Sequence, residues 1–287
     1  MENCNICYCV DKGFEKYAMA SIISLFLNSK IKPKIHIIHN KFTDKKKLKI
    51  IERMFKTKFS YYLTDDKSLY GLPVLGGYSV YYRILIPKLL PKTIDKVLYL
   101  DCDTIVEDDL SGLFSIDLSN NALAAVEDYV VIRSDFKMLK KRLKIPKNKS
   151  YFNSGVMLLN VEYMRRNDSS KKIISFLKKN NEKIVLHDQD GMNAVLFNKW
   201  IKIPETYNYL INLNLIFPKN TNPKIVHFAG LKPEMIKILN PNNVYCKKYY
   251  GYLGMTDLPN DDFTSEDFIK LMKRTYQTFF RTKFFFK

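Results

Sequence analysis

"KVLYLDCDTIVEDDL", residues 96–110, decides how the rest of the chain is read. Val97, Leu98, Tyr99 and Leu100 form an apolar run without a polar face, the pattern of a short strand buried in the middle of a parallel sheet. Asp101 and Asp103 follow where that strand ends. At a two-residue spacing in extended chain, both side chains leave on one face. Two carboxylates held that close repel unless a positive charge lies between them, and their hard oxygens suit a divalent cation. On spacing alone, a helix N-cap or a surface turn explains the pair at least as well.

Outward from this strand, apolar runs alternate with segments of helical period. "NICYCV" (5–10) precedes "EKYAMASIISLFLNS" (15–29), in which Ala18, Ile22, Leu25 and Phe26 share a face. "KIHIIH" (34–39) precedes the basic amphipathic "KKKLKIIERMF" (45–55). "FSYYL" (59–63) leads through a Gly/Pro loop to a helix expected over "YSVYYRILIPKLL" (78–90). "ALAAVED" (122–128), "YFNSGVMLLN" (151–160) and "KIVHFAG" (224–230) are further strand candidates. The rhythm predicts an α/β fold, a sheet between helices, with ligands bound at the strand ends.

Composition narrows the functional classes. A chain of 287 residues with 46% hydrophobic and 14% aromatic content buries a large core and is not disordered. "MENCNICYCVDKGF" lacks the basic head and long apolar run of a secretory signal, and no apolar stretch has the length of a membrane span, so a cytoplasmic protein is expected. The five cysteines, an odd number, are expected as reduced thiols; "CNIC" (4–7) has no second Cys/His pair nearby to complete a zinc site. A formal charge of +18 attracts nucleic acid, anionic lipid or an anionic small molecule alike. No nucleic-acid recognition motif accompanies it. The loop "VDKGFEKY" lacks the dinucleotide glycine fingerprint, "GLPVLGGYS" (71–79) lacks the Lys-Ser/Thr of a P-loop, and "DCDTIVEDD" lacks the EF-hand turn glycine. A bound nucleotide diphosphate therefore needs another counter-charge, which a metal on Asp101 and Asp103 supplies.

"LYLDCDTIV", "YFNSGVMLLN", "HDQDGMN" (187–193) and "HFAGLKP" (227–233) occur in an order and spacing that resembles retaining glycosyltransferase family 8, of the bacterial lipooligosaccharide galactosyl- or glucosyltransferase type. The resemblance runs from about residue 5 to residue 233. It implies a GT-A fold with a mixed, mostly parallel sheet over 1–235, and transfer of a hexose from a UDP-sugar with Mn²⁺ (or Mg²⁺) bridging the diphosphate. Asp101, Asp103 and His227 are then the metal ligands, a carboxylate and imidazole set that suits Mn²⁺ better than Ca²⁺. Asp11 matches the acid on uracil, with Cys9 and Val10 beside it; Arg83, Cys102, Asn153, Gly230 and Lys232 fall at the donor, Lys232 on the departing diphosphate. Asp188 matches a ligand of sugar hydroxyls, Asp128 lines the sugar pocket, and Gln189 lies beneath the anomeric carbon. Lys12 and Gly13 depart from the family pattern. So does Glu234, in "KPE" where the family has "KPW", which suggests a reshaped acceptor side.

An amide oxygen is a poor nucleophile, so front-face attack by the acceptor hydroxyl is expected, with Gln189 stabilising the anomeric cation. Double displacement through Asp128 or Asp190 is the alternative. Other classes carry weaker expectations: a metal-dependent nucleotidyl or sugar-phosphate transferase has no use for "HDQD" with "HFAGLKP", and a basic nucleic-acid-binding protein lacks its motif. His36, His39 and His187 have no support of the kind His227 has as ligands, and the first two, in or beside a strand, are read as structural. Beyond the resemblance, 236–287 is expected to be a helical segment whose end, "TSEDFIKLMKRTYQTFFRTKFFFK" (264–287), has six basic and two acidic residues and phenylalanines around the whole helix axis. Packing on the domain and attachment to an anionic membrane surface both fit its first turns; the final phenylalanines favour peripheral attachment at the inner face of the membrane, where a saccharide or lipid-linked acceptor resides.

Overall fold

A computed structural model describes residues 3–64, 67–73, 77–128, 137–211 and 221–256. The strands are β1 (Asn3–Val10), β2 (Lys32–His39), β3 (Ser60–Leu63), β4 (Lys96–Leu100), β5 (Thr104–Val106), β6 (Leu123–Glu127), β7 (Phe152–Asn160), β8 (Trp200–Lys202), β9 (Tyr209–Leu210) and β10 (Ile225–His227). The helices are α1 (Glu15–Asn28), α2 (Lys45–Met54), α3 (Ile86–Leu89), α4 (Ser111–Phe114), α5 (Lys137–Arg142), α6 (Val161–Arg166), α7 (Ser169–Lys179), α8 (His187–Leu196), α9 (Pro233–Leu239) and α10 (Val244–Gly254). The α/β expectation holds.

Seven strands form one sheet in the order β3-β2-β1-β4-β7-β6-β8, and β5-β10-β9 form a second, smaller one. In the large sheet pairing is parallel except where β7 meets β4 and β6, and in the small one β10 runs antiparallel to β5 and parallel to β9. Strand β4 is therefore central, as expected, but has one parallel and one antiparallel neighbour. Its continuous apolar character reflects burial on both faces, not parallel pairing on both edges.

Alternation along the central strands feeds two cores. Tyr8, Val10, Leu98, Leu100, Val156 and Leu158 pack under α1, α2, α10 and the small sheet. Cys7, Cys9, Val97, Tyr99, Met157 and Leu159 pack against the 78–90 segment, α6, α7 and α8. Cys4 and Cys7 thus face opposite sides, which rules out a shared zinc half-site, and all five cysteines are buried and unbridged.

The 78–90 segment is helical but not one helix. Residues Tyr78–Leu85 wind as a 3₁₀ helix before α3 begins. Pro87 has no N–H to give the Arg83 carbonyl, which Ile86 takes instead through the shorter bond. Arg165 of α6 then gathers the carbonyls of Pro87, Leu90, Pro91 and Ile94 at 2.7–3.0 Å, holding the segment that carries Arg83.

Candidate active site

The C-terminal ends of β1 and β4, the start of β7, the start of α8 and the end of β10 surround one cavity of about 440 Å³. Asp101 and Asp103 lie in the turn between β4 and β5, not in extended chain as expected. The turn is pinned where Asp101 N–H donates to the Gly155 carbonyl (2.7 Å), Thr104 Oγ1 to the Asp101 carbonyl (2.8 Å) and Phe228 N–H to the Asp103 carbonyl (2.9 Å). Both carboxylates nevertheless converge on His227, whose Nε2 is 3.5 Å from Asp101 Oδ2 and 3.4 Å from Asp103 Oδ1. Donor atoms of all three lie within 4.8 Å of one another, a fit for a small divalent cation. Gly155 supplies the space, since a Cβ there would meet the imidazole and Asp101 together.

Basic side chains hold these acids. Lys232 Nζ is 2.5 Å from Asp103 Oδ2 and lies over the rings of Phe14 and Tyr17. Burial raises the Asp103 pKa, but Lys232 and His227 outweigh it and hold the carboxyl far below the ordinary range. The buried Arg83 reaches Asp101 Oδ1 (2.8 Å) through Nη2, the Ser154 carbonyl (2.8 Å) through Nη1, and Asp188 Oδ2 (3.3 Å) through Nε, with its guanidinium over Tyr99. Burial opposes its charge, and the two aspartates more than restore it. Tyr99 donates to Asp101 Oδ1 at 2.5 Å.

At the other end lie Asp128, Asn153, Ser154, Asp188 and Gln189. Asp128 Oδ2 accepts from Asn153 Nδ2 and Gln189 Nε2, both at 3.0 Å. Gln189 Oε1 accepts from Ser154 N–H (3.0 Å), so its amide is held at both ends. Ser154 Oγ donates to Asp188 Oδ2 (2.9 Å). Burial pushes the Asp188 carboxyl up to about 6 despite Arg83. In the first loop Ser79 donates to Asp11, and Glu15 receives the N–H groups of Gly13 (2.7 Å) and Asp44 (2.8 Å), setting the loop's course.

The cavity thus brings together Cys9, Asp11, Arg83, Asp101, Cys102, Asp103, Asp128, Asn153, Asp188, Gln189, His227, Gly230 and Lys232. Val10 and Asp190 are not in its lining. Val10 packs in the core, and the fully buried Asp190 accepts from Tyr151 Oη (2.6 Å) and the N–H groups of Val185 and Leu186 (2.7 and 2.9 Å). Glu234 also lies away from the lining: buried, it accepts from Tyr17 Oη and pairs with Lys16 at 3.0 Å, joining α9 to α1. His36 and His39 lie in β2 as expected, whereas His187 lines the cavity. Ser79, Tyr99, Ser154 and Gly155 also line it and were not foreseen. Ser154 and Gly155 were within reach of the sequence, following Asn153 in the quoted "YFNSGVMLLN".

The family model described as Glycosyl transferase family 8 matches residues 5–233. General stress protein A of Bacillus subtilis is 29% identical over 88% of this chain and 93% of its own length. The lipopolysaccharide 1,3-galactosyltransferase of Salmonella typhimurium is 29% identical over 79% of this chain and 71% of its own. Among solved structures, the galactosyltransferase LgtC in complex with donor and acceptor sugar analogues superposes with a TM-score of 0.79 at 19% identity, covering 90% of this chain and 98% of that one. That likeness shows a shared GT-A fold.

Proposed function

The chain belongs to glycosyl transferase family 8, and from that premise we propose that it is a retaining hexosyltransferase that moves galactose or glucose from a UDP-sugar to a carbohydrate acceptor in bacterial surface saccharide synthesis. The observation that supports this reading most is a single cavity carrying a cation-binding trio and two basic groups at one end and a ring of amides and carboxylates at the other. Asp101, Asp103 and His227 would hold Mn²⁺ (or Mg²⁺), which when bound neutralises charge on the departing diphosphate.

The chain's own residues supply the rest. Asp11 accepts the imide N–H of uracil, a hydrogen cytosine lacks. Lys232 and Arg83 place fixed positive charge against phosphate oxygens, so the leaving group departs without a protonating acid. Asp188, Asn153 and Asp128 take the sugar hydroxyls. The acceptor hydroxyl attacks on the face the diphosphate leaves, its proton passing to the leaving phosphate oxygen. Gln189, with its oxygen engaged by Ser154 N–H, acts through its dipole and not as a nucleophile. Asp190, bonded on both oxygens away from the cavity, has no part in either route, which leaves Asp128 as the carboxylate of the double-displacement alternative.

A peripheral position at the inner face of the membrane belongs to this proposal. Among the described residues no helix is long and apolar enough to cross a bilayer. The test is UDP release from metal-stripped enzyme, restored with Mn²⁺, across UDP-galactose, UDP-glucose and their N-acetyl forms. Release is expected from at least one, and its loss in Asp101→Ala, Asp103→Ala and His227→Ala with the fold intact. Full turnover in EDTA, or a response only to GDP- or CMP-sugars, overturns the reading.

A further inference from the structure

We infer that Asn208 is a positioning residue that decides which nitrogen of His227 faces the cation, as the middle link of a buried relay from Asp128. The inference rests on the reading of Asp101, Asp103 and His227 as a divalent-cation site. Asn208 lies just before β9, is 2% exposed, and was not singled out by any sequence motif.

The polarity of the relay follows from one group that only donates. Gly155 N–H gives its hydrogen to Asn153 Oδ1 at 2.9 Å. Asn153 Nδ2 therefore points the other way, to Asp128 Oδ2 at 3.0 Å. The same Asn153 Oδ1 receives Asn208 Nδ2 at 2.8 Å, which turns Asn208 Oδ1 toward His227 Nδ1 at 2.9 Å. That ring nitrogen must then carry the hydrogen, which leaves Nε2 as the nitrogen that meets a cation between the two aspartates. Every donor in the sequence points toward the carboxylate, so the links polarise one another and raise the ligating strength of Nε2. Asp128, Asn153, Asn208 and His227 are all buried, so water does not substitute for a missing link at low cost.

Two measurements on the full chain test this. Long-range ¹⁵N–¹H NMR of the histidines, recorded without metal, is expected to show a hydrogen on His227 Nδ1. Mn²⁺ binding, followed by the EPR signal of the free ion, is expected to weaken about tenfold or more in Asn208→Leu, the scale of losing an outer partner of a ligating histidine. Asn208→Asp keeps an acceptor for Nδ1–H but loses the donor to Asn153. It should lower thermal stability while keeping the tautomer and holding Mn²⁺ within about threefold of wild type. A purely structural role predicts instead that affinity falls with stability in both variants. A His227 Nδ1 that carries no hydrogen in the wild type, or wild-type Mn²⁺ affinity in a folded Asn208→Leu, overturns the relay. If Asn208→Leu does not fold, the wild-type tautomer and Asn208→Asp decide. A wild type that binds no Mn²⁺ overturns the cation site, whereas the tautomer, measured without metal, judges the relay separately.

Discussion

A Cβ added at Gly155 falls 2.2 Å from His227 Cε1 and 2.9 Å from Asp101 Oδ2, well inside van der Waals contact. Neither neighbour is a free side-chain end: Asn208 holds the imidazole and Arg83 holds the carboxylate. Gly155→Ala is therefore expected to push both away from the cation position. UDP release should fall at least about a hundredfold, while overpacking costs only about 1–3 kcal/mol of stability. Titration with Mn²⁺ beside a thermal melt separates the two effects, and wild-type affinity in the variant contradicts the steric argument. That Asp101, Asp103, His227, Asp188 and Gln189 share one cavity was legible through four motifs in a resembling order, since residue type and spacing alone left each of them open. Asn208 was not, because its contribution depends on what lies across a turn, while Ser154 and Gly155 stood inside a quoted motif without being singled out. Asp190, one of two carboxylates of the alternative route, lies outside the cavity lining, since its position gives both oxygens to Tyr151 and the N–H groups of Val185 and Leu186.

The β-α order of the elements was legible because periods of two and near four residues survive in the apolar pattern. The direction of β7 was not, since a fully buried strand presents the same run whether it is parallel or antiparallel. The 3₁₀ turn at Tyr78–Leu85 was likewise hidden until Pro87 was seen to withhold its N–H. At the sheet edge, His36 of β2 bridges Asn5 of β1 and Tyr62 of β3, both at 3.1 Å. Burial, with help from Lys34, lowers its pKa to about 4. Between about pH 6.5 and 4 the unfolded chain binds this proton and the folded chain does not, so stability present above about pH 6.5 is lost as the pH falls through that window. Melting temperature across pH 4–7 should therefore decline less steeply in His36→Gln than in the wild type, and parallel curves would remove His36 as the cause.

For the whole molecule, a net charge of +18 surrounds a cavity that holds Asp11, Asp101, Asp103, Asp128 and Asp188. The outer field favours an anionic donor and the inner carboxylates favour a cation, so the two attractions are stacked along one approach. The aromatic, basic segment 264–287 lies outside the described residues, and its attachment to an anionic bilayer is part of the proposal. Co-sedimentation with anionic vesicles should retain the full chain at low salt and release it at high salt, while a chain ending at 274 stays in the supernatant. Equal recovery of both in the supernatant would leave 275–287 as a packing or oligomer-contact element. A different consequence comes from the small three-stranded sheet. It joins β5 to β10 and pairs Lys232 with Asp103 across 129 positions of the chain. Closing so long a loop is slow relative to local pairing. During synthesis, the seven-strand sheet has all its strands before β10 emerges from the ribosome, and until then the two acids lack both imidazole and lysine. If the trio holds a cation as proposed, its capture is thereby deferred until β10 has paired, so an unfinished chain would not lock a cation into a half-built centre.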